Sequence, residues 1–157
     1  RPPLEIKCTR LEPGRLFPGE DTTNYDPSKL EENVIYYADE GRGKKSHPLA
    51  DIFFKTARKI VLVDVFGGSS AQGARDKGIK LALWIDPMNE KRRAKIKRGG
   101  RKGKRKFEFE GVVLAPFSPG QSTSLGNVQV LEGEDARGLL GGLGQVYNWF
   151  ETGDASS

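Results

Sequence analysis

Two aspartates stand inside short apolar runs where an uncharged residue packs more easily: Asp51 in "LADIFF" and Asp64 in "KIVLVDVF". A carboxylate drawn out of water needs a compensating partner. Two carboxylates on neighbouring strands make a hard-oxygen site suited to Mg²⁺. A divalent cation held there neutralises phosphate oxygens and lowers the pKa of an attacking water, which is what phosphodiester hydrolysis requires. The plainer alternative is that Asp51 begins a strand at the surface and Asp64 marks where a strand leaves the core before "GG".

The elements around the pair decide whether the two acids can meet. Only "KTAR" separates the two runs, so they read as a hairpin. In the second run Ile60, Leu62, Asp64 and Phe66 share one face, and Val61, Val63 and Val65 share the other. Both faces are apolar except at Asp64, the pattern of a central, buried strand. Upstream, "DPSKLEEN" offers Asp26 as N-cap and Pro27 at the first helical position, and "NVIYYAD" follows as a strand.

Downstream, Ser70 serves as the cap of a plain strand-to-helix turn. Ala74, Leu81, Trp84, Ile85 and Met88 then recur at helical spacing, interrupted by Gly73, Gly78 and Pro87. "KFEFEGVVLAP" reads as a strand entering the core, "FSPGQSTSLG" as a loop, "NVQVL" as a short strand and "DARGLLGGLGQVYNWF" as a closing helix. The expected order is helix, three strands, helix, strand, short strand, helix. Residues 26–150 form one α/β domain in this reading, preceded by an arm over 1–25 and followed by a disordered tail over 151–157.

An αβββαβ order with an acid on the second strand and another on the third resembles the PD-(D/E)xK nuclease superfamily. More narrowly, "ENVIYYADEGRGKKSHPLADIFF" followed by "IVLVDVFGG" resembles the nuclease-like domain of Crinkler effectors and of kinetoplastid retrotransposon hot spot proteins. The resemblance implies a restriction-endonuclease-like fold, a central mixed sheet flanked by helices. It also implies Asp51 and Asp64 as metal-binding and catalytic acids, with Mg²⁺ as the cofactor. A lysine two residues past the second acid belongs to the motif, where it orients or deprotonates the water. This chain has Phe66 there. A lysine displaced to the following helix is the remaining source of an amine; Lys77 and Lys80 are both placed to supply it, and Lys80 is assigned the catalytic role. Glu31 or Glu32 on the first helix is a candidate further acid, and Gln72 a further polar group.

The net charge of +5 conceals an asymmetry. Between Lys91 and Lys106, eleven of sixteen residues are Lys or Arg; the remaining 15 basic residues face 21 acidic ones. Such a run repels itself and is expected as a mobile basic loop over 91–106 unless a polyanion is present. Arg92, Arg93, Lys95, Lys97, Arg98, Arg101, Lys102, Lys104, Arg105 and Lys106 are the candidate nucleic-acid contacts. "KRRAKIKR" and "RKGKRK" also match the charge density read by nuclear import receptors. His47, the only histidine, precedes a proline and reads as a turn residue.

The single cysteine, Cys8, cannot close an internal disulfide, which suits a reducing compartment. The first residue is Arg1 and not Met, the expectation for a piece of a longer protein, and no apolar run approaches membrane-spanning length. Two functions emerge. One is a nucleic-acid-binding, metal-dependent nuclease domain of a nuclear protein, with DNA or RNA as partner. The other is a noncatalytic protein-interaction module whose basic loop directs import. The hot spot resemblance implies a neighbouring ATPase-like region; the Crinkler resemblance implies an effector acting in a host nucleus.

Overall fold

The computed structural model describes residues 7–10, 29–37, 40–41, 44–45, 50–99 and 107–140. In chain order the elements are β1 (Lys7–Arg10), β2 (Val34–Tyr37), β3 (Glu40–Gly41), β4 (Lys44–Lys45), β5 (Ile52–Lys55) and β6 (Lys59–Val65). Then come α1 (Ala71–Gly99), β7 (Glu108–Ala115), β8 (Thr123–Leu125), β9 (Val128–Glu132) and α2 (Glu134–Leu140). Seven strands form one mixed sheet in the order β1-β2-β5-β6-β7-β9-β8, and β3 and β4 pair separately. The chain is thus an α/β protein with a central mixed sheet. His47, Arg101, Lys102, Lys104, Arg105, Lys106, residues 141–150 of the expected last helix and the tail lie outside the described residues.

β6 is central, as its two apolar faces require. It pairs antiparallel with β5 and parallel with β7, and α1 makes the crossover between the parallel strands. Ile60 and Leu62 face α1 together with Phe53, Leu81, Ile85 and Met88. Val61 and Val63 face the other way, against Ala136 and Leu139 of α2. The sheet is therefore covered on both faces, in three layers. From the N-terminal arm, β1 adds a parallel edge strand beside β2. No helix among the described residues is long and apolar enough to cross a membrane.

Three expectations are corrected. The helix expected from Asp26 does not extend through residues 31–33: Glu32 forms a bridge with Lys55, and Asn33 takes a φ of 63°, which turns the chain into β2. Tertiary contacts override the local signal, because Leu30 is buried in the core and Glu31 donates its N–H to the Tyr36 hydroxyl at 3.0 Å. The loop expected over 117–126 contains β8, which closes a hairpin on β9 through Gly126 and Asn127, with Gly126 at φ 60° in the first turn position. Finally, the basic run is helical over residues 91–99, the last turns of α1. Cations there meet the negative end of the helix dipole, and Arg93 pairs with Glu108 at 3.0 Å.

α1 continues through Pro87 because its far half is pinned to the sheet. β9 begins pairing with β7 only at Gly111, which leaves the backbone of Phe109 without a strand neighbour on that side. The buried Asn89 side chain takes the strand's place: its Nδ2 donates to Phe109 O at 2.9 Å, and its Oδ1 accepts the Phe109 N–H at 2.8 Å. Asn89→Ala leaves a buried donor and acceptor unpaired, so urea denaturation should show a loss of about 2 kcal/mol, whereas Glu90→Ala on the exposed side should be near neutral.

Candidate active site

The start of β5 brings the two aspartates together. β5 pairs with β6 as far as Ile52 opposite Val63, and Asp51, one residue before the strand, donates its N–H to Val63 O at 3.0 Å, which leaves its carboxyl within hydrogen-bonding reach of that of Asp64. Asp51 is fixed from the next rung, where its Oδ2 accepts the Val65 N–H at 2.9 Å. The Asp64 side chain is 16% exposed.

Burial is the main reason that the Asp64 carboxyl is raised from the usual 3.8 to about 6. A hydrogen bond with the Asp51 carboxyl adds to the effect, the Lys77 ammonium opposes it, and the Asp51 charge raises it further. Such a group, perturbed by burial and by a neighbouring carboxyl, is a functional-site candidate.

The amine comes from α1. Lys77 Nζ lies 3.4 Å from Asp64 Oδ2 and 5.9 Å from the centroid of the Phe66 ring. Lys80, assigned the catalytic role above, is instead exposed one turn further on, and the ion pair to Asp64 is made by Lys77. The apolar stripe contained the signal for this choice. Around a helix of 3.6 residues per turn, Lys77 lies about 60° from Ala74 and Lys80 about 120° away on the same side, so only Lys77 borders the sheet-facing stripe.

Phe66 occupies space that no lysine fills. Its N–H donates to Leu114 O at 2.8 Å, so strand pairing carries it onto the same face as Asp64. Its ring lies against Gly68 and Gly73: a Cβ at either would stand 2.6 Å from Phe66 Cζ. The ring thereby supports the first turn of α1, which Ser70 caps by accepting the Gly73 N–H on Oγ at 3.2 Å. Phe66 and Lys77 act together, the ring bracing the helix from which the ammonium reaches the acids.

The other candidates lie elsewhere. Glu32 bridges Lys55, at the opposite end of β5 from Asp51. Gln72 Nε2 bonds Asp76 Oδ1 at 2.8 Å. Among the described residues no cluster of three or more His, Cys, Asp or Glu is placed to hold a metal. The donors that exist suit a hard cation: two adjacent carboxylates, one of them largely desolvated, on oxygen alone. Arg92, Arg93, Lys95, Lys97 and Arg98 belong to the far turns of α1. Comparison with known proteins gave nothing to set beside this geometry: no family model, no curated protein and no solved structure matches the chain.

Proposed function

We propose that this chain is a nucleic-acid-binding domain of the restriction-endonuclease-like kind, built for metal-dependent phosphodiester hydrolysis with the amine displaced from β6 to α1. The observation that carries the reading is the juxtaposition of Asp51, Asp64 and Lys77 on one face at the end of the β5–β6 hairpin. The succession β2, β5, β6, α1, β7, with β7 parallel to β6, supports the βββαβ part of that core.

Asp51 and Asp64 are the residues that would hold Mg²⁺. When bound, the cation supplies charge neutralisation at the phosphate and a more acidic water. Asp51 is kept in place by the Val65 N–H, so its orientation does not depend on the metal. Asp64 holds a proton up to about pH 6 and must release it before it serves as a ligand. Lys77 favours that release and presents its N–H donors beside the acids, where a phosphate oxygen develops charge.

Cleavage of single-stranded and duplex DNA and RNA with and without Mg²⁺ tests the reading. Lys77→Met should lower the rate by about 10²-fold, the scale of one positioned proton-transfer or charge-stabilising group. Cleavage that persists undiminished in Asp51→Asn or Asp64→Asn overturns it. One observation favours a second reading, a noncatalytic module with a nuclear import segment: the cationic turns begin at Lys91, about 21 Å along α1 from Lys77. In that case the chain binds an import receptor through 91–106 and cleaves nothing.

A further inference from the structure

The lysines of α1 are not scattered. Taking Lys77 as the reference direction at 100° per residue, positions 80, 84, 87, 91, 95 and 98 all fall within an arc of about 80°. They hold Lys80, Trp84, Pro87, Lys91, Lys95 and Arg98, and the arc contains no acidic residue. Asp86 and Glu90 lie beyond the Pro87 edge of the arc, where they border an apolar groove with Ile79, Leu83, Pro87 and Leu125. The exposures agree with the wheel: Lys80, Pro87 and Lys91 are exposed, while Lys77 and Trp84, nearer the sheet, are half-buried. Trp84 is held by an edge-on contact with Phe109, ring centroids 4.9 Å apart.

From Lys77 to Arg98 the stripe is about 32 Å long. It starts at the acid pair and is carried by one helix that Asn89 pins to β7. We propose that this face is a phosphate-binding rail for duplex nucleic acid: Lys80, Lys91, Lys95 and Arg98 contact the backbone of a duplex whose reacting phosphodiester lies at Asp51 and Asp64. The proposal rests on the nuclease reading and specifies its substrate. At about 3.4 Å per base pair the rail covers about nine base pairs. The middle of the stripe, Trp84 and Pro87, offers no cation, so the charges form two groups roughly 16 Å apart, from Lys80 to Lys91. A ligand that engages both groups at once must bridge that gap, which a stiff duplex does without the ordering cost a single strand incurs. Among the described residues of the stripe no aromatic ring is exposed as a stacking platform for unpaired bases. Lys80, exposed one turn beyond Lys77, acquires a role as a backbone contact.

The test compares the full chain with two variants. One changes the rail, Lys80→Ala, Lys91→Ala and Lys95→Ala together; the other removes equal charge elsewhere on the same helix, Arg75→Ala, Arg93→Ala and Lys97→Ala. Circular dichroism confirms that both fold. Binding is measured on DNA and RNA duplexes of 6, 12 and 24 base pairs over a range of salt. The rail variant should lose affinity by tenfold or more on the 12-mer, with the salt slope reduced by about 3, roughly 0.9 per lost phosphate contact. The control should change it by less than threefold, and the wild type should bind the 6-mer much more weakly than the 12-mer. Whichever duplex binds more tightly identifies the sugar.

Equal weakening in both variants, or affinity independent of length, overturns the rail and leaves the nuclease reading intact. Asp64-dependent cleavage of single strands without duplex binding does the same. A wild type that neither binds nor cleaves any nucleic acid overturns both.

Discussion

Asp64→Asn is expected to make the protein more stable above pH 6 and, if the proposed nuclease function holds, to abolish cleavage. The Asp64 carboxyl is raised from 3.8 to about 6, chiefly by burial. Between those values the folded state binds a proton that the unfolded state releases. The stability that Asp64 contributes is therefore complete below about pH 4 and is lost as pH rises through about 6. At pH 8 the buried anion costs roughly 3 kcal/mol relative to its protonated form. Asparagine removes that cost but gives up the Lys77 ion pair, so a net gain of about 1–2 kcal/mol is expected at pH 8 and almost none at pH 4. Denaturation at both pH values reads this directly, and a variant that is less stable at pH 8 contradicts the desolvated-anion account. Millimolar Mg²⁺ should raise the melting temperature of the wild type at pH 8, less so at pH 5 where the proton competes, and leave the variant unmoved. Activity should fall by more than the 10- to 100-fold that loss of an outer-sphere partner produces.

The second large effect belongs to Phe66. Gly73 lies in the first turn of α1, where alanine normally gains about 1 kcal/mol over glycine. Here the added Cβ would stand 2.6 Å from Phe66 Cζ, so Gly73→Ala should instead lose about 1–3 kcal/mol. Phe66→Ala should lose about 3 kcal/mol. In the double variant the alanine at 73 meets no ring, and its effect should turn favourable, a coupling of about 2 kcal/mol. Additive losses would mean that the ring does not support the helix. Phe66→Lys, which restores the motif lysine, should be as destabilised as Phe66→Ala and should fail to rescue Lys77→Met. The amine position is already served from α1, and the space left by the ring is not shaped for a lysine chain.

How much of this was legible depended on whether one element or several carried the information. The β5–β6 hairpin and its acids follow from two alternating runs and a short connection, so the meeting of Asp51 with Asp64 was readable. The length of α1 was not, because charge repulsion over 91–99 argued for a loop. The structure resolves the conflict through the helix dipole, the Arg93–Glu108 pair and the Asn89 contacts, and two of those partners are on β7. The choice between Lys77 and Lys80 turned on about 60° of helical azimuth, which the interruptions at Gly73, Gly78 and Pro87 obscured. β8 escaped notice because "TSL" is a short edge strand with little apolar content, recognisable only from its pairing with β9.

Under the proposed nuclease function, the amide of Asn89 has a consequence for where the amine stands. An amine on the same strand as the acids has its position set by the pleat of that strand. In this protein acids and amine ride on different bodies, and their separation depends on how far α1 has slid along the sheet. Asn89, about 18 Å along the helix from Lys77, is the ratchet tooth of that slide: its two hydrogen bonds to Phe109 admit one axial setting. At 3.4 Å the Lys77–Asp64 contact has little travel to spare, so under the proposed function Asn89→Ala is expected to lower activity from the end of the helix remote from the acids.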